Sequence, residues 1–276
     1  MSEPTSVTGG EQAAFFDLDK TVIAKASMAA FGRPLYDGGL INRRTVARAV
    51  YAQLVYLHLG ASEEKLDRIR ESVLKLTKGW SRDRVCQIVA DTIDRTVKPI
   101  VFKEAMELIA QHRTAGRLVV IISASPEELV VPLGRYLGVD GVIASRARLD
   151  DEGRYTGEMA FYCYGPFKAE AIMALAASRG IDLAESYAYS DSYTDLPMLE
   201  AVGHPVAVNP DRVLGRLARE REWEVRQFVR PVRLRDRVNP SKPAVAVTLG
   251  AMVAGAGAAG IGWWLGARRH GAGARA

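Results

Sequence analysis

Cysteine and histidine are scarce in this sequence. Its 276 residues include two cysteines, Cys86 and Cys163, and four scattered histidines. Two cysteines cannot build a disulfide framework, and neither has the spacing of a zinc ligand, so we interpret both as packing residues in a reducing compartment. The sequence thus argues against a disulfide-stabilised secreted module and against a metal site made of histidine or cysteine.

A secretory signal is also missing. The first residues, MSEPTSVTGGEQ, are polar and lack the basic start and the apolar run of a signal sequence. We interpret residues 1–12 as a flexible N-terminus and expect the catalytic part of the chain to be cytoplasmic.

Excess positive charge is confined to the C-terminal end. The net charge is +5, but residues 230–243 hold five Lys or Arg residues against one Asp, and residues 268–276 hold three Arg residues. The chain up to residue 229 is therefore mildly acidic. Nucleic-acid binding needs a basic surface, so we predict no nucleic-acid partner. We interpret 230–243 as a basic linker and 268–276 as a short basic tail.

Between these basic segments lies a run without charge. Residues 244–267, AVAVTLGAMVAGAGAAGIGWWLGA, are 24 residues long and include Trp263 and Trp264 near one end. That length suffices to span a bilayer, and paired tryptophans suit its interface. We predict a single C-terminal transmembrane helix that holds the catalytic domain at the cytoplasmic face of a membrane. A buried Ala/Gly-rich helix and a flexible tail are the alternatives.

Short apolar strands alternate with helical patterns in much of the remaining chain. This alternation predicts an α/β fold with a Rossmann-like, mostly parallel sheet and helices on both faces, formed by residues 13–24 and 98–229. Residues 25–97 instead carry helical periodicity, over 42–59, 62–76 and 81–97. We predict that this segment is a helical cap inserted after the first strand.

Several polar residues stand where predicted strands end or the following helix begins. They are Asp17, Asp19, Thr21, Ser123, Lys168, Asp191 and Asp195. Taken singly, each is also explained as a helix cap, a turn residue or a surface lysine. In open α/β sheets, however, ligands bind at the carboxyl ends of the strands, so we expect these side chains to converge at one edge.

Such a set has the chemistry of a phosphoryl-transfer site. Clustered carboxylate oxygens suit Mg²⁺, and a lysine offsets the charge of a phosphate. One Asp can attack phosphorus to form an aspartyl-phosphate, while the other transfers a proton to the leaving oxygen. We therefore predict Mg²⁺ as the cofactor and a phosphomonoester as the substrate.

At this point the sequence resembles a known family. The segments DLDKT, IIS and SDSYTD, with Lys168 before the last, are similar in content and order to the four motifs of the haloacid dehalogenase (HAD) superfamily. The helical segment after the first motif resembles the cap of subfamily IB, the phosphoserine-phosphatase-like branch. The resemblance covers about residues 13–229 and implies a HAD-type phosphatase, a hydrolase acting on phosphoric monoesters.

The resemblance implies three metal-binding positions. Asp17 matches the nucleophile, whose carboxylate also binds Mg²⁺. Asp19 matches the general acid/base, with its backbone carbonyl on the metal. Asp191 matches a direct metal ligand.

The remaining matched residues are implied to act on the phosphate or to support the site. Ser123 matches the donor to a phosphate oxygen, with Ala124 beside it as a further phosphate-binding position. Lys168 matches the residue that neutralises both nucleophile and phosphate. Asp195 matches the support for metal-bound water, and Thr21 is a second supporting residue.

The physiological substrate stays open. Phosphoserine phosphatases of this type carry an acidic substrate-binding residue shortly after the first motif, whereas this chain reads VIAKASMAAF there. A lipid headgroup phosphate and a small-metabolite phosphate are the candidates. Two other functions are a non-catalytic, membrane-tethered regulator that binds a phosphorylated partner, and a phosphotransferase that passes the phosphoryl group to an alcohol.

Overall fold

The structure is a computed structural model that describes residues 10–42 and 63–229. Most of the predicted helix over 42–59, the basic linker, and the predicted transmembrane segment 244–267 with its tail lie outside the described residues. Among the helices within residues 10–42 and 63–229, none has the length and apolar character that a membrane span requires.

The described strands form one seven-stranded sheet in the order β4-β3-β2-β1-β5-β6-β7. Neighbouring strands are parallel except β3 and β4, which form an antiparallel pair at one edge. The prediction of a mostly parallel α/β sheet is confirmed. The strands are β1 Ala13–Asp17, β2 Leu118–Pro126, β3 Gly141–Leu149, β4 Tyr155–Phe161, β5 Tyr187–Ser190, β6 His204–Val208 and β7 Glu224–Arg226.

Helices connect the parallel strands, as the alternating pattern predicts. In the described residues they are α1 Ser27–Asp37, α2 Glu63–Thr77, α3 Arg82–Val97, α4 Lys103–Thr114, α5 Glu127–Leu137, α6 Pro166–Arg179, α7 Leu196–Glu200 and α8 Arg212–Glu220. A short 3₁₀ turn, Tyr193–Asp195, precedes α7. Helix α1 was not among the sequence-based predictions.

Strand β1 lies at the centre of the sheet, and each of its side chains is buried. Phe15 belongs to the apolar cluster on one face, and Phe16 belongs to the cluster on the other. Such two-sided burial is typical of a parallel strand covered by helices on both faces.

The carboxyl-terminal ends of β1 and of the two strands that flank it lie side by side, and we call this part of the sheet the catalytic edge. Residue Asp17 pairs with Ile122 of β2, and Phe16 pairs with Tyr189 of β5. Strand order reverses at this point, because the chain builds one side of the sheet and then continues at β5 on the other side of β1. The carboxyl ends of β1, β2 and β5 therefore meet where open α/β sheets bind their ligands.

Three described helices lie in the segment predicted as a cap. Helix α3 begins after Ser81, whose hydroxyl accepts the backbone N–H of Arg84 at 3.4 Å, as expected for an N-cap. This helix packs against α1 and α5. The Arg82 guanidinium also bonds the carboxylates of Glu127 and Glu128 at 3.0 and 3.2 Å, which ties the start of α3 to the start of α5.

Candidate active site

A buried lysine joins two of the predicted carboxylates. The Lys168 ammonium donates to Asp17 Oδ1 at 2.6 Å and to Asp195 Oδ2 at 2.7 Å. Pro166 starts helix α6, and Gly165 before it has a φ of 56°, a backbone region that glycine adopts readily. The turn at Gly165 places Lys168 in the first turn of α6, and the two carboxylates compensate its burial.

The cluster contains two buried carboxyl groups and one buried ammonium group. Burial alone would lower the pKa of Lys168, but the carboxylates of Asp17 and Asp195 outweigh that effect and hold the pKa above its usual range. The lysine is therefore a stable ammonium. Burial raises the pKa of Asp17 to about 8, against the opposing pull of Lys168. The cluster holds more buried carboxylate than its one buried cation can offset.

Asp191 follows β5 directly and is buried beside the same cluster. Burial raises its pKa to about 6, and the charge of Lys20 opposes the shift. Its backbone carbonyl accepts the N–H of Asp211 at 2.7 Å, and a carboxylate oxygen of Asp211 accepts the N–H of Tyr193 at 2.7 Å. Asp211, which also caps α8, thus holds the loop that carries Asp191.

Asp195 is held by a second donor. The hydroxyl of Ser190, the last residue of β5, donates to Asp195 Oδ2 at 2.7 Å. The same carboxylate oxygen accepts from Lys168, so its position is determined by two buried donors on different elements.

Asp19 has hydrogen-bond donors of its own, from Ser27 and Ser125. Its Oδ1 accepts the backbone N–H of Ser27 at 2.8 Å, and its Oδ2 accepts the hydroxyls of Ser27 and Ser125 at 3.3 and 3.2 Å. Burial raises the pKa of Asp19, and these hydrogen bonds oppose the shift. The two carboxylates of the first motif are therefore held by different partners, an ammonium for Asp17 and hydroxyls for Asp19.

The predicted phosphate-side residues lie at the end of β2. Ser123 is buried and its hydroxyl accepts the backbone N–H of Ser125 at 3.1 Å, while Ala124 beside it is half-buried. Thr21 is fully buried, and its hydroxyl has no hydrogen-bond partner among the described residues.

The structure thus brings every predicted site residue to the edge where β1, β2 and β5 end. Within the described ranges, no group of three or more His, Cys, Asp or Glu side chains is arranged to hold a metal ion. The set predicted for magnesium combines two side-chain carboxylates, those of Asp17 and Asp191, with the backbone carbonyl of Asp19.

The family is decided by comparison with known proteins. The model of the haloacid dehalogenase-like hydrolases matches residues 14–200 of the chain. The chain belongs to this family. The matched range contains the four motifs and the helices between the first two.

Relatives of known name are similar over nearly the whole chain. A Streptomyces azureus protein named for inhibition of morphological differentiation is 51% identical over 261 residues, which cover 93% of this chain and 94% of the relative. A probable phosphatase of Mycobacterium tuberculosis is 52% identical, covering 88% of this chain and 86% of the relative. A phosphoserine phosphatase of the same species is 34% identical, covering 92% and 85%.

The fold is also found in a solved structure. A Bordetella pertussis protein of unknown function superposes with a TM-score of 0.69 and 27% identity, covering 79% of this chain and 98% of that chain. Together these similarities confirm the predicted HAD family, its phosphoserine-phosphatase-like branch, and the enzyme class of a HAD-type phosphatase acting on phosphoric monoesters.

Four residues that hold the site were missed by the sequence reasoning. They are Ser27, Ser125, Ser190 and Asp211. Ser125 and Ser190 stand close to predicted strand ends, so position was an available signal for both. Ser27 lies in the inserted segment and Asp211 follows β6, and no short motif marks either of them.

Proposed function

We propose that the protein is a Mg²⁺-dependent phosphomonoesterase that forms an aspartyl-phosphate on Asp17. The observation that carries this proposal is the buried contact of Lys168 with Asp17 and Asp195, at 2.6 and 2.7 Å, at the carboxyl ends of the central strands. Burying charged groups is unfavourable unless they are paired, and this arrangement keeps the carboxyl group of the proposed nucleophile, Asp17, beside a cation that can also receive a phosphate.

The donors at this edge fit magnesium. Asp17 and Asp191 are both buried carboxylates, and oxygen ligands of this kind suit a hard divalent cation. Asp17, Asp191 and the backbone carbonyl of Asp19 would hold the ion. When bound, Mg²⁺ would offset the excess negative charge of the cluster and of the phosphate.

The proposed reaction divides the chemistry between the two aspartates of the first motif. A carboxylate oxygen of Asp17 would attack phosphorus while the bond from phosphorus to the ester oxygen breaks. Asp19 would donate a proton to that leaving oxygen. It would then take a proton from the water that attacks the aspartyl-phosphate, which releases inorganic phosphate and regenerates Asp17.

Other residues would hold the phosphate in place. Ser123 lies at the end of β2, beside β1, where its hydroxyl could donate to a phosphate oxygen. The ammonium of Lys168 would offset charge on the same group. In phosphoryl transfer, positioning and charge stabilisation supply most of the catalysis.

The test is phosphate release by the full-length chain. The panel comprises p-nitrophenyl phosphate, phosphoserine, lysophosphatidate and phosphatidylglycerol phosphate, each assayed with Mg²⁺ and with chelator. We expect Mg²⁺-dependent turnover that Asp17→Asn lowers at least about 1,000-fold. The matched control is Asp140→Asn, because the Asp140 carboxylate accepts the Val119 N–H at 2.9 Å at the opposite end of β2. Absence of turnover from folded, Mg²⁺-loaded protein would contradict the proposal.

The same panel addresses the substrate, for which we propose a lipid headgroup phosphate or a small-metabolite phosphate. The segment that follows the first motif, VIAKASMAAF, contains Lys25 and no Asp or Glu. It therefore offers no carboxylate that could bind the amino group of phosphoserine. Preference for phosphatidylglycerol phosphate or lysophosphatidate over phosphoserine would favour the lipid substrate. A preference for phosphoserine would contradict the lipid substrate and favour a small-metabolite phosphate.

A regulatory role is the second candidate, and the name of the Streptomyces azureus relative favours it. In that case the chain would bind a phosphorylated partner without turning it over. The two candidates differ in the panel assay, because a regulator would release no phosphate from any ester. The intact Asp17, Asp19 and Lys168 favour catalysis.

We also propose that residues 244–267 anchor the protein in a membrane. This proposal rests on the charge-free length of 24 residues and its basic flanks, and the segment lies outside the described residues. Full-length protein is expected to sediment with lipid vesicles after an alkaline carbonate wash. The double variant Val253→Arg/Ala258→Arg should not, because charges at the centre of a span are strongly unfavourable. Equal sedimentation of both proteins would contradict the anchor.

A further inference from the structure

Two buried serines from distant parts of the chain meet at the Asp19 carboxylate. Ser27 is the first residue of α1, and Ser125 lies near the end of β2. Their hydroxyl oxygens are 2.6 Å apart, and each contacts Asp19 Oδ2, at 3.3 Å for Ser27 and 3.2 Å for Ser125. The Ser27 N–H completes the arrangement by donating to Oδ1 at 2.8 Å.

This arrangement leaves the carboxylate one orientation. Both oxygens of Asp19 have donors, and the donors come from two different elements, so rotation about the Cβ–Cγ bond would break at least one partly buried hydrogen bond. A buried polar group that loses its partner costs about 1–3 kcal/mol. A hydrogen bond from Ser125 N–H to Ser123 also fixes Ser125 against the phosphate-binding position.

We propose that Ser27 and Ser125 are positioning residues that aim the proton-transferring oxygen of Asp19 at the leaving-group oxygen of the substrate. This inference rests on the proposed function. Proton transfer to a leaving oxygen requires hydrogen-bond geometry, and small displacements from that geometry lower the rate strongly. The serines act through Asp19 and need no contact with the substrate.

A purely structural role is the competing explanation. Helix α1 has Ala26 at its N-cap, and Ala26 makes no side-chain capping bond. The Asp19 carboxylate accepts the Ser27 N–H at the start of this helix and so serves as a cap from outside the helix. If the serines only stabilised that cap, removing a hydroxyl would lower stability and affect all substrates equally.

The two explanations differ in their dependence on the leaving group. An alkoxide is a poor leaving group and needs the proton from Asp19, whereas p-nitrophenolate leaves without one. Ser125→Ala should therefore lower kcat/KM for an alkyl phosphate at least about 10-fold more than for p-nitrophenyl phosphate, since general acid catalysis contributes roughly 100- to 10,000-fold. Ser125→Thr, which retains a hydroxyl, should recover most of the loss on the alkyl ester.

The matched control is Ser145→Ala. Ser145 is a buried serine on the neighbouring strand β3, and its hydroxyl accepts the Cys163 N–H at 3.0 Å without contacting Asp19. It should change both substrates by the same factor. In an Asp19→Asn background, Ser125→Ala should lose its selective effect, because the interaction it removes is already absent.

The outcomes separate this inference from the proposed function. All assays use full-length chain with Mg²⁺ and the alkyl ester that the wild type hydrolyses best. A wild type that hydrolyses both esters, with Ser125→Ala lowering both by the same factor, overturns the inference alone. A wild type that hydrolyses no alkyl ester overturns the general-acid role of Asp19 and the inference with it. If Ser125→Ala does not fold, Ser27→Ala retains the backbone hydrogen bond and should show the same selective loss.

Discussion

The ammonium of Lys168 lies 2.6 Å from a carboxylate oxygen of Asp17, and both side chains are almost completely removed from solvent. The contact joins the carboxyl end of β1 to the start of α6, which lies 151 residues later. Because Lys168 also bonds Asp195, one cation holds three separate segments of chain together at the catalytic edge.

Removing that cation should destabilise the fold. Lys168→Met leaves two buried carboxylates without their partner, and breaking a buried pair in this way costs about 3–5 kcal/mol. We expect the free energy of unfolding to fall by about 3 kcal/mol in urea titrations with chelator present. Lys103→Met is the control, because Lys103 is exposed and pairs with Glu107 on the helix surface, so the change should be below about 0.5 kcal/mol. Equal urea midpoints for the two variants would contradict the role of Lys168.

Magnesium should stabilise the folded protein in a manner that depends on Asp191. A ligand that binds only the folded state raises stability by about 2.7 kcal/mol at 100 times its Kd. We expect Mg²⁺ to raise Tm in the wild type, and Asp191→Asn to lose most of this shift because the substitution removes the charge of a proposed ligand. Asp140→Asn should keep the full shift, since its carboxylate lies at the opposite end of β2. A shift of the same size in Asp191→Asn would exclude Asp191 as a ligand.

Acid should weaken the fold through His112. This side chain is buried between α4 and the sheet, where Nε2 contacts the Tyr189 hydroxyl at 2.7 Å and Arg117 lies beside Nδ1. Burial, with the charges of Arg117 and Arg226, lowers the pKa of His112 to about 4 from its ordinary 6.5. Below pH 6.5 the unfolded chain binds a proton that the folded protein excludes. The contribution of this lowered pKa to the free energy of unfolding is therefore complete above pH 6.5. It is lost as the pH falls towards 4, by up to about 1.4 kcal/mol per pH unit.

The measurement for His112 is the difference in unfolding free energy between wild type and His112→Gln at several pH values. The difference cancels the pH dependence of the active-site carboxylates, and we expect it to narrow or reverse as the pH falls from 6.5 to 4. His204→Gln, whose side chain is exposed, is the control. A difference that does not change with pH would contradict the assignment to His112.

Substitution of Gly203 by any residue with a side chain should destabilise the fold, because the backbone of Ala184 lies too close. A Cβ at this position would lie 1.7 Å from the carbonyl oxygen of Ala184, so the backbone would have to move. We expect Gly203→Ala to lower the free energy of unfolding by about 3 kcal/mol, at the upper end of overpacking effects. Gly32→Ala is the opposite case, because Gly32 lies inside α1 with open space around it, and it should gain about 0.5–1 kcal/mol. Thermal or urea unfolding measures both, and a neutral Gly203→Ala would contradict the packing described at Ala184.

Much of the fold could be predicted from the alternation of apolar strands and helices. The helix predicted from Phe167 to Arg179 is α6, Pro166–Arg179, which ends at Gly180 with a φ of 70°. Local signals such as a C-terminal glycine need no knowledge of the rest of the chain. Helix α1 was not predicted because it contains Gly32 and Pro34, which are unfavourable inside helices. In addition, its N-cap residue, Ala26, has no side chain that could cap the helix.

The amino-acid sequence by itself determined the chemistry available to this protein: the Asp17–Asp19 pair, Ser123, Lys168 and the carboxylates after β5, in the order of the family's motifs. Residue type and local spacing are enough for that, since strand ends and helix starts are local features. Only the tertiary structure decided that Ser27 and Ser125, 98 residues apart, share the Asp19 carboxylate while Lys168 holds Asp17. Those partnerships depend on strand order and on the packing of α1 at the catalytic edge, because buried polar groups take the partners that the assembled fold brings within reach.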